Sequence, residues 1–87
     1  MNEAENKAQC ENILAKLKQH DFWYEYSDDI RVWRSGEETK AEICKLISLI
    51  DDEAVRNSFL VHIPEQFKNS FKADIDLFFA RRGKNDC

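Results

Sequence analysis

The stretch from Phe67 to Phe79 decides the fold, and it reads Phe-Lys-Asn-Ser-Phe-Lys-Ala-Asp-Ile-Asp-Leu-Phe-Phe. Its apolar residues recur after four, four, three and one positions, at Phe67, Phe71, Ile75, Phe78 and Phe79. An α-helix has about 3.6 residues per turn, so this spacing places the apolar residues on one face. The pattern predicts a central amphipathic helix in which Phe71 is fully buried.

Two further apolar patterns precede that stretch along the chain. The first predicts a helix from about Glu3 to His20, with an apolar stripe formed by Ala4, Ala8, Cys10, Ile13, Leu14 and Leu17. The second follows Asp51-Asp52-Glu53 and comprises Val55, Phe59, Leu60 and Ile63. Pro64 fixes its own φ and disfavours helix in the residue before it. A short helix should therefore end at Ile63, and the central helix should open at Pro64 and Glu65.

Residues 28–50 are expected to form one helix or two. Gly36 is the ambiguous point, because a glycine inside a helix costs about 1 kcal/mol relative to alanine and marks either a break or a close helix approach. The second half has a clear apolar side made of Ile43, Cys44, Leu46, Ile47 and Ile50. On the other side, we expect the charged residues to stay in water, namely Glu37, Glu38, Lys40, Glu42 and Lys45.

The window from Phe22 to Arg34, called the aromatic window below, fits two templates. As a hairpin, residues 22–26 and 30–33 would be strands around Ser27-Asp28-Asp29. As a helix start, Ser27 would be the N-cap, the two aspartates would form the first turn, and Ile30 and Trp33 would share a face with Ile43. We favour the helix, because the turn lacks the Gly or Asn that a tight hairpin needs and a lone hairpin is marginally stable.

These patterns together predict an all-α fold, a compact bundle of four to five helices in a single domain of residues 1–87. The chain contains only two glycines and one proline, which favours long helices and short connections over a many-stranded architecture. The alternative is an α+β fold with one short hairpin at residues 22–34.

Charge and cysteine content limit the class of protein. A formal charge of -4 argues against a nonspecific nucleic-acid binder, which needs an excess of Lys and Arg on one face. Three cysteines without CxxC spacing indicate a reduced, cytosolic protein. The polar N-terminus predicts no signal peptide, and no segment approaches the length of a membrane span. We expect a cytoplasmic protein without membrane contact, and no sequence feature indicates an oligomeric state.

The chemistry-bearing residues show no catalytic or metal-binding pattern. His20 and His62 belong to no motif, and helix capping or packing explains them. The carboxylate clusters at residues 28–29, 51–53 and 74–76 lack calcium-loop and two-metal spacing. The sequence also lacks a glycine-rich phosphate loop and a dinucleotide fingerprint. We therefore expect no enzyme, no metal and no cofactor.

The aromatic window is the predicted functional segment, because it holds both tryptophans and both tyrosines of the chain. Trp, Tyr and Arg dominate protein-protein hot spots, and acidic groups beside them suit a partner with a basic or nucleic-acid-binding surface. The candidate partner-binding residues are Trp23, Tyr24, Tyr26, Asp28, Asp29, Arg31, Trp33 and Arg34. The pattern leaves open whether the aromatics form core or surface.

The leading function is a protein-binding module acting through an outer face, since so small a domain has no room for an enclosed active-site pocket. The alternative is an accessory nucleic-acid-binding module with a local basic patch of Arg31, Arg34, Arg81 and Arg82.

One segment resembles known proteins. The string Trp23-Tyr24-Glu25-Tyr26-Ser27-Asp28-Asp29-Ile30-Arg31-Val32-Trp33, followed by Gly36, resembles small uncharacterised proteins encoded by phages and other mobile elements of bacteria. The resemblance covers about a sixth of the chain. It implies a bacterial or viral cytoplasmic setting and carries no assigned activity. Small acidic phage proteins are often inhibitors of host machinery, so it also implies an inhibitor or modulator of a host nucleic-acid-processing or defence protein.

Overall fold

The fold consists of helices connected by short loops. The computed structural model describes the backbone of residues 3–85 and the side chains of residues 7–81. Its elements are α1 (Glu3–Gln19), a first 3₁₀ helix (Phe22–Tyr26), α2 (Ile30–Ser48), α3 (Glu53–Ser58), a second 3₁₀ helix (Phe59–His62) and α4 (Glu65–Asn85). Residues 3–85 contain no strand. The all-α prediction is confirmed, and the hairpin alternative at residues 22–34 is wrong.

The core is assembled from α1, α2, the second 3₁₀ helix and α4. Its buried apolar side chains are Ile13, Leu17, Ile43, Cys44, Ile47, Phe59, Ile63, Phe67, Phe71 and Ile75. Phe71 is 2% exposed, so the predicted burial of the central helix face is confirmed. The break at Pro64 is also confirmed, because Ile63 has an extended backbone and α4 begins at Glu65. Among the described helices, none is long and apolar enough to cross a membrane.

The start of α2 differs from the prediction. Ser27 is not the N-cap, because α2 begins only at Ile30; the backbone N–H of Ser27 donates to the Tyr24 carbonyl at the end of the first 3₁₀ helix. The Ser27 hydroxyl instead accepts from the backbone N–H of Asp29 at 3.1 Å. Asp29 is the N-cap, and its Oδ1 accepts from the backbone N–H of Arg31 at 2.9 Å. The helix therefore begins later than predicted, since an aspartate is at least as good a cap as serine.

Gly36 lies inside a continuous α2 and marks a close approach, not a break. A Cβ at this position would overlap the base of the Tyr24 ring, which packs directly on the α2 backbone. The buried stripe of α2 begins at Gly36 and continues through Lys40, Ile43, Cys44, Ile47 and Ser48. Ile30 and Trp33 precede this stripe and are 59% and 40% exposed. The prediction that they share the face of Ile43 is wrong.

Lys40 is buried, contrary to the prediction that it stays in water. It belongs to the buried stripe of α2, where it is 8% exposed. Its Nζ donates to the Ser70 hydroxyl, lies 3.4 Å from Asp74 Oδ2 and sits 5.3 Å from the centroid of the Phe71 ring. The position is tolerated because the lysine stem covers apolar surface while α4 supplies polar partners for the ammonium.

Arg56 holds the connection between α2 and α3. Its Nη1 donates to the carbonyls of Ile50 and Asp51 at 2.7 and 2.8 Å, and its guanidinium lies 4.0 Å from the centroid of the Phe79 ring. The buried Arg56 guanidinium therefore satisfies two carbonyls that follow the end of α2 and packs this connection against α4.

Candidate functional site

Exposed apolar side chains concentrate in the aromatic window. Within the described part of the chain, five of the eight exposed large hydrophobic residues lie between positions 23 and 33, namely Trp23, Tyr26, Ile30, Val32 and Trp33. Trp23 is 53% exposed and Tyr26 is 68% exposed, whereas the core cluster forms without either. Exposed apolar residues concentrated in one segment indicate an interaction surface more strongly than residues scattered along the chain do.

The first 3₁₀ helix separates an inner from an outer aromatic face. About three residues make one 3₁₀ turn, so Trp23 and Tyr26 lie one above the other. Their ring centroids are 5.7 Å apart and the rings are tilted by 36°. We call this exposed pair the aromatic ridge.

Two residues of α4 hold the aromatic ridge in place. The Trp23 ring meets Phe67 edge-on at a centroid distance of 5.2 Å and an interplanar angle of 84°. The Tyr26 hydroxyl accepts from Gln66 Nε2 at 3.2 Å. Both aromatic side chains are therefore positioned before any partner binds. Gln66 and Phe67 were not among the predicted site residues, because they lie forty residues away and their pattern indicated only the buried face of α4.

Tyr24 faces the interior and is not available as a surface anchor. It is 2% exposed, packs against Gly36, and its hydroxyl donates to a carboxylate oxygen of Glu37. Burial and the adjacent Glu37 raise the pKa of Tyr24 above its ordinary value. Phe22 also packs inward, with its ring centroid 5.5 Å from that of Phe71. Of the two tyrosines predicted as anchors, the structure leaves only Tyr26 on the surface.

The charged candidates fall into a paired and an unpaired group. Asp29 and Arg31 form an ion pair at 3.0 Å, and the hydrogen bonds from Arg31 hold the pKa of Asp29 below its ordinary value. Asp28 is exposed, and among residues 7–81 no ion pair involves it. Glu25, which was not among the predicted residues, is also exposed and lies between Trp23 and Tyr26 in the sequence.

The predicted basic residues occupy two separate elements. Arg31 and Arg34 are exposed on the first turns of α2, and Arg81 is exposed near the end of α4. The side chain of Arg82 lies outside the described residues, as does Cys87. Arg31 is already engaged by Asp29, which reduces the positive charge available to a phosphate backbone.

An open groove of about 710 Å³ lies between α1, the first 3₁₀ helix and α2. Its lining includes Lys16, His20, Asp29, Arg31, Thr39 and Glu42. The cations in it are paired, Lys16 with Glu42 at 2.8 Å and Arg31 with Asp29 at 3.0 Å. The prediction considered only an enclosed pocket, whereas this groove is open to solvent.

His20 forms part of the groove wall as a packing residue. It is 9% exposed, and its ring meets Phe22 edge-on at a centroid distance of 4.8 Å. Burial lowers the pKa of His20; Asp21 opposes this shift and the Lys40 charge adds to it. Of the two explanations offered by the sequence, packing is therefore the one that the structure favours.

The remaining groups with chemical potential are either buried, as Cys44 is, or too far apart to act together. Cys44 is fully buried, with its Sγ 3.7 Å from the Phe71 carbonyl, and burial raises the pKa of its thiol to about 12. Among the described residues, no three His, Cys, Asp or Glu side chains cluster as metal ligands would.

Comparison with known proteins yields no relative from which a role could be transferred. No protein-family model, no curated protein and no solved structure matches this chain.

Proposed function

We propose that this chain is a small protein-binding module that docks through the exposed part of its aromatic window, formed by Trp23, Tyr26, Ile30 and Trp33. The observation that carries the proposal is the concentration of exposed apolar side chains in that window while the core is complete without them. Tryptophan and tyrosine are the residue types most enriched among interface hot spots.

Prior ordering of the aromatic ridge supports the same proposal. Binding normally costs free energy because rotamer-rich side chains become immobilised at the interface. Here Phe67 and Gln66 already restrain Trp23 and Tyr26. A ridge that is exposed and yet held in place loses less conformational entropy on docking than flexible surface side chains would.

The charge around the window supports a partner with a basic surface, for instance a nucleic-acid-binding protein. Asp28 and Glu25 are exposed and lie in the same segment of sequence as the aromatic residues, and opposite charge on the partner would accelerate encounter and fix orientation. The resemblance of residues 23–36 to small phage and mobile-element proteins supports a cytoplasmic setting in a bacterial host. In that setting the module would act as an inhibitor or modulator of a host nucleic-acid-processing or defence protein.

Affinity capture from bacterial lysate tests the proposal. The tagged protein is compared with Trp33→Ala and with two control variants, Val61→Ala and Leu77→Ala, which shorten exposed apolar side chains outside the window. Wild type and both controls should retain the same nuclease-resistant partner. Trp33→Ala should bind it roughly 30-fold more weakly, as loss of a hot-spot residue does.

Two results would contradict the proposal, the first its class of partner and the second its docking surface. If nuclease treatment releases the partner and the purified chain binds DNA or RNA with steep salt dependence, the accessory nucleic-acid module is the correct function. If Val61→Ala or Leu77→Ala weakens capture as much as Trp33→Ala, the aromatic window is not the docking surface. All variants must share the wild-type melting temperature, because an unfolded variant loses binding for an unrelated reason.

A further inference from the structure

We infer that the aromatic ridge binds an arginine side chain of the protein partner, with the guanidinium stacked on Trp23 and Tyr26 and held by the carboxylates of Glu25 and Asp28. This inference rests on the proposed docking function and specifies the chemistry that the surface recognises.

The ring geometry provides a platform for a planar cation. The two ring centroids are 5.7 Å apart, the rings are tilted by 36° to each other, and the side chains are 53% and 68% exposed, so both residues offer aromatic surface to solvent. An aromatic face attracts a cation through its quadrupole, and tryptophan does so most strongly. The described cation–ring contacts place Lys40 over Phe71 and Arg56 over Phe79. None of them covers Trp23 or Tyr26, so the ridge faces are unoccupied by a cation from residues 7–81.

Two of the four carboxylates adjacent to the ridge in sequence have neither an ion-pair nor a hydrogen-bond partner among the described residues. Residues 21–30 contain Asp21, Glu25, Asp28 and Asp29 and no Lys or Arg. Asp21 accepts from the backbone N–H of Trp23, and Asp29 is engaged by Arg31. Glu25 and Asp28 form no ion pair within the described residues. On the longer helices, Glu42, Glu65, Asp74 and Asp76 are each paired with a lysine, whereas Glu11 and Glu38 form no ion pair within the described residues. What distinguishes Glu25 and Asp28 is their place in the sequence next to two exposed aromatic rings.

Arginine fits this combination better than lysine. Its guanidinium is planar, stacks on aromatic rings, and donates in a fork that matches a carboxylate. The lysine ammonium is a compact and strongly hydrated charge that gains less from a flat aromatic surface. The inferred occupant is therefore an arginine-bearing segment of the partner protein.

Titration with capped peptides tests this inference. Trp33→Phe leaves Trp23 as the single tryptophan, so its fluorescence reports on the ridge alone. The probes are tetra-arginine, tetra-lysine and tetra-glutamate, and backbone amide shifts locate the bound peptide. Tetra-arginine should bind saturably with the largest shifts at residues 22–28, roughly fivefold more tightly than tetra-lysine. Tetra-glutamate should not bind.

Matched variants separate a specific site from general attraction to an acidic protein. Trp23→Leu keeps an apolar side chain and removes the aromatic face, and Tyr26→Leu does the same for the second ring. Either should abolish the preference for arginine over lysine, and Glu25→Gln should weaken binding roughly fivefold at low salt. Glu53→Gln, in the exposed acidic cluster of residues 51–53, should leave binding unchanged.

The inference is overturned if tetra-arginine changes the backbone amide shifts of residues 51–53 as strongly as those of residues 22–28. It is also overturned if Trp23→Leu and Tyr26→Leu both melt like wild type and both retain the preference for arginine.

Failure of this inference is distinguishable from failure of docking itself. If a nuclease-resistant partner still depends on Trp33 while arginine shows no preference for the ridge, the module docks by apolar contact alone. If partner capture does not depend on the window either, both proposals fall.

Discussion

Replacing Gly36 by alanine should destabilise the protein, although the same change stabilises most helices. Alanine is favoured over glycine by about 1 kcal/mol inside a helix. At this position, however, the added Cβ would overlap Cγ and both Cδ atoms of Tyr24. Those atoms belong to the base of a buried ring and cannot move aside as the end of a flexible side chain could.

The magnitude follows from two opposing terms. Overpacking a close contact costs about 1–3 kcal/mol, and at a contact this close the upper half of that range applies. After the gain in helix propensity is subtracted, Gly36→Ala should lower the free energy of unfolding by about 1–2 kcal/mol. For a domain of this size, the melting temperature should fall by roughly 5–15 °C.

Thermal unfolding followed by circular dichroism, with urea unfolding for the free energy, measures the effect. Ser35→Ala is the control, because Ser35 is exposed on the same helix and should gain slightly from alanine propensity. In a Tyr24→Ala background, where the ring is absent, Gly36→Ala should become stabilising. A Gly36→Ala protein as stable as wild type would refute the close packing of Tyr24 on α2.

Three further predictions concern buried polar groups. Burial holds the folded-state pKa of His20 below its ordinary value of 6.5, so unfolding becomes easier as pH falls below about 6.5 and is unaffected by this group above it. His20→Phe should weaken this pH dependence of the free energy of unfolding. Arg56→Ala removes two carbonyl hydrogen bonds and should cost about 1.5–3 kcal/mol in urea unfolding, and Arg56→Lys should recover only part of that loss. Lys40→Met removes one partner of an ion pair, but the Asp74 carboxylate that is left is 41% exposed and stays hydrated, so the free energy of unfolding should change by no more than about 1 kcal/mol. A strongly destabilised Lys40→Met would show that the contacts to Ser70 and Asp74 contribute more than the burial of the charge costs.

The helices were predictable where one periodicity governs a long segment. The spacing of Phe67, Phe71 and Ile75 predicts the buried face of α4, and Pro64 predicts where α4 begins. The spacing does not predict that the helix continues to Asn85. The burial of Lys40 could not be predicted in the same way. Its partners, Ser70 and Asp74, lie thirty or more residues away, and only the packing of α2 on α4 brings them together.

The cap of α2 was misplaced for a local reason. Serine followed by two aspartates offers several good capping side chains in succession, and capping preferences alone do not choose among them. In the structure, Ser27 ends the first 3₁₀ helix and its hydroxyl accepts from the backbone N–H of Asp29, whereas the Asp29 carboxylate accepts from the backbone N–H of Arg31 inside α2.

The orientation of the aromatic window depends on a helix type that neither template considered. A strand would alternate its side chains with a period of two, and an α-helix would repeat after about 3.6 residues. With about three residues per turn, Phe22 and Tyr24 lie on either side of the direction that faces the core, and Trp23 and Tyr26 lie opposite. The same five residues therefore supply both core packing and the exposed ridge.

Replacing Glu25 by proline should disturb both the core packing and the ridge, because proline would remove a backbone donor from the 3₁₀ helix and move Tyr26 away from Gln66. Partner binding and thermal stability should then fall together, whereas Trp33→Ala should lower binding alone.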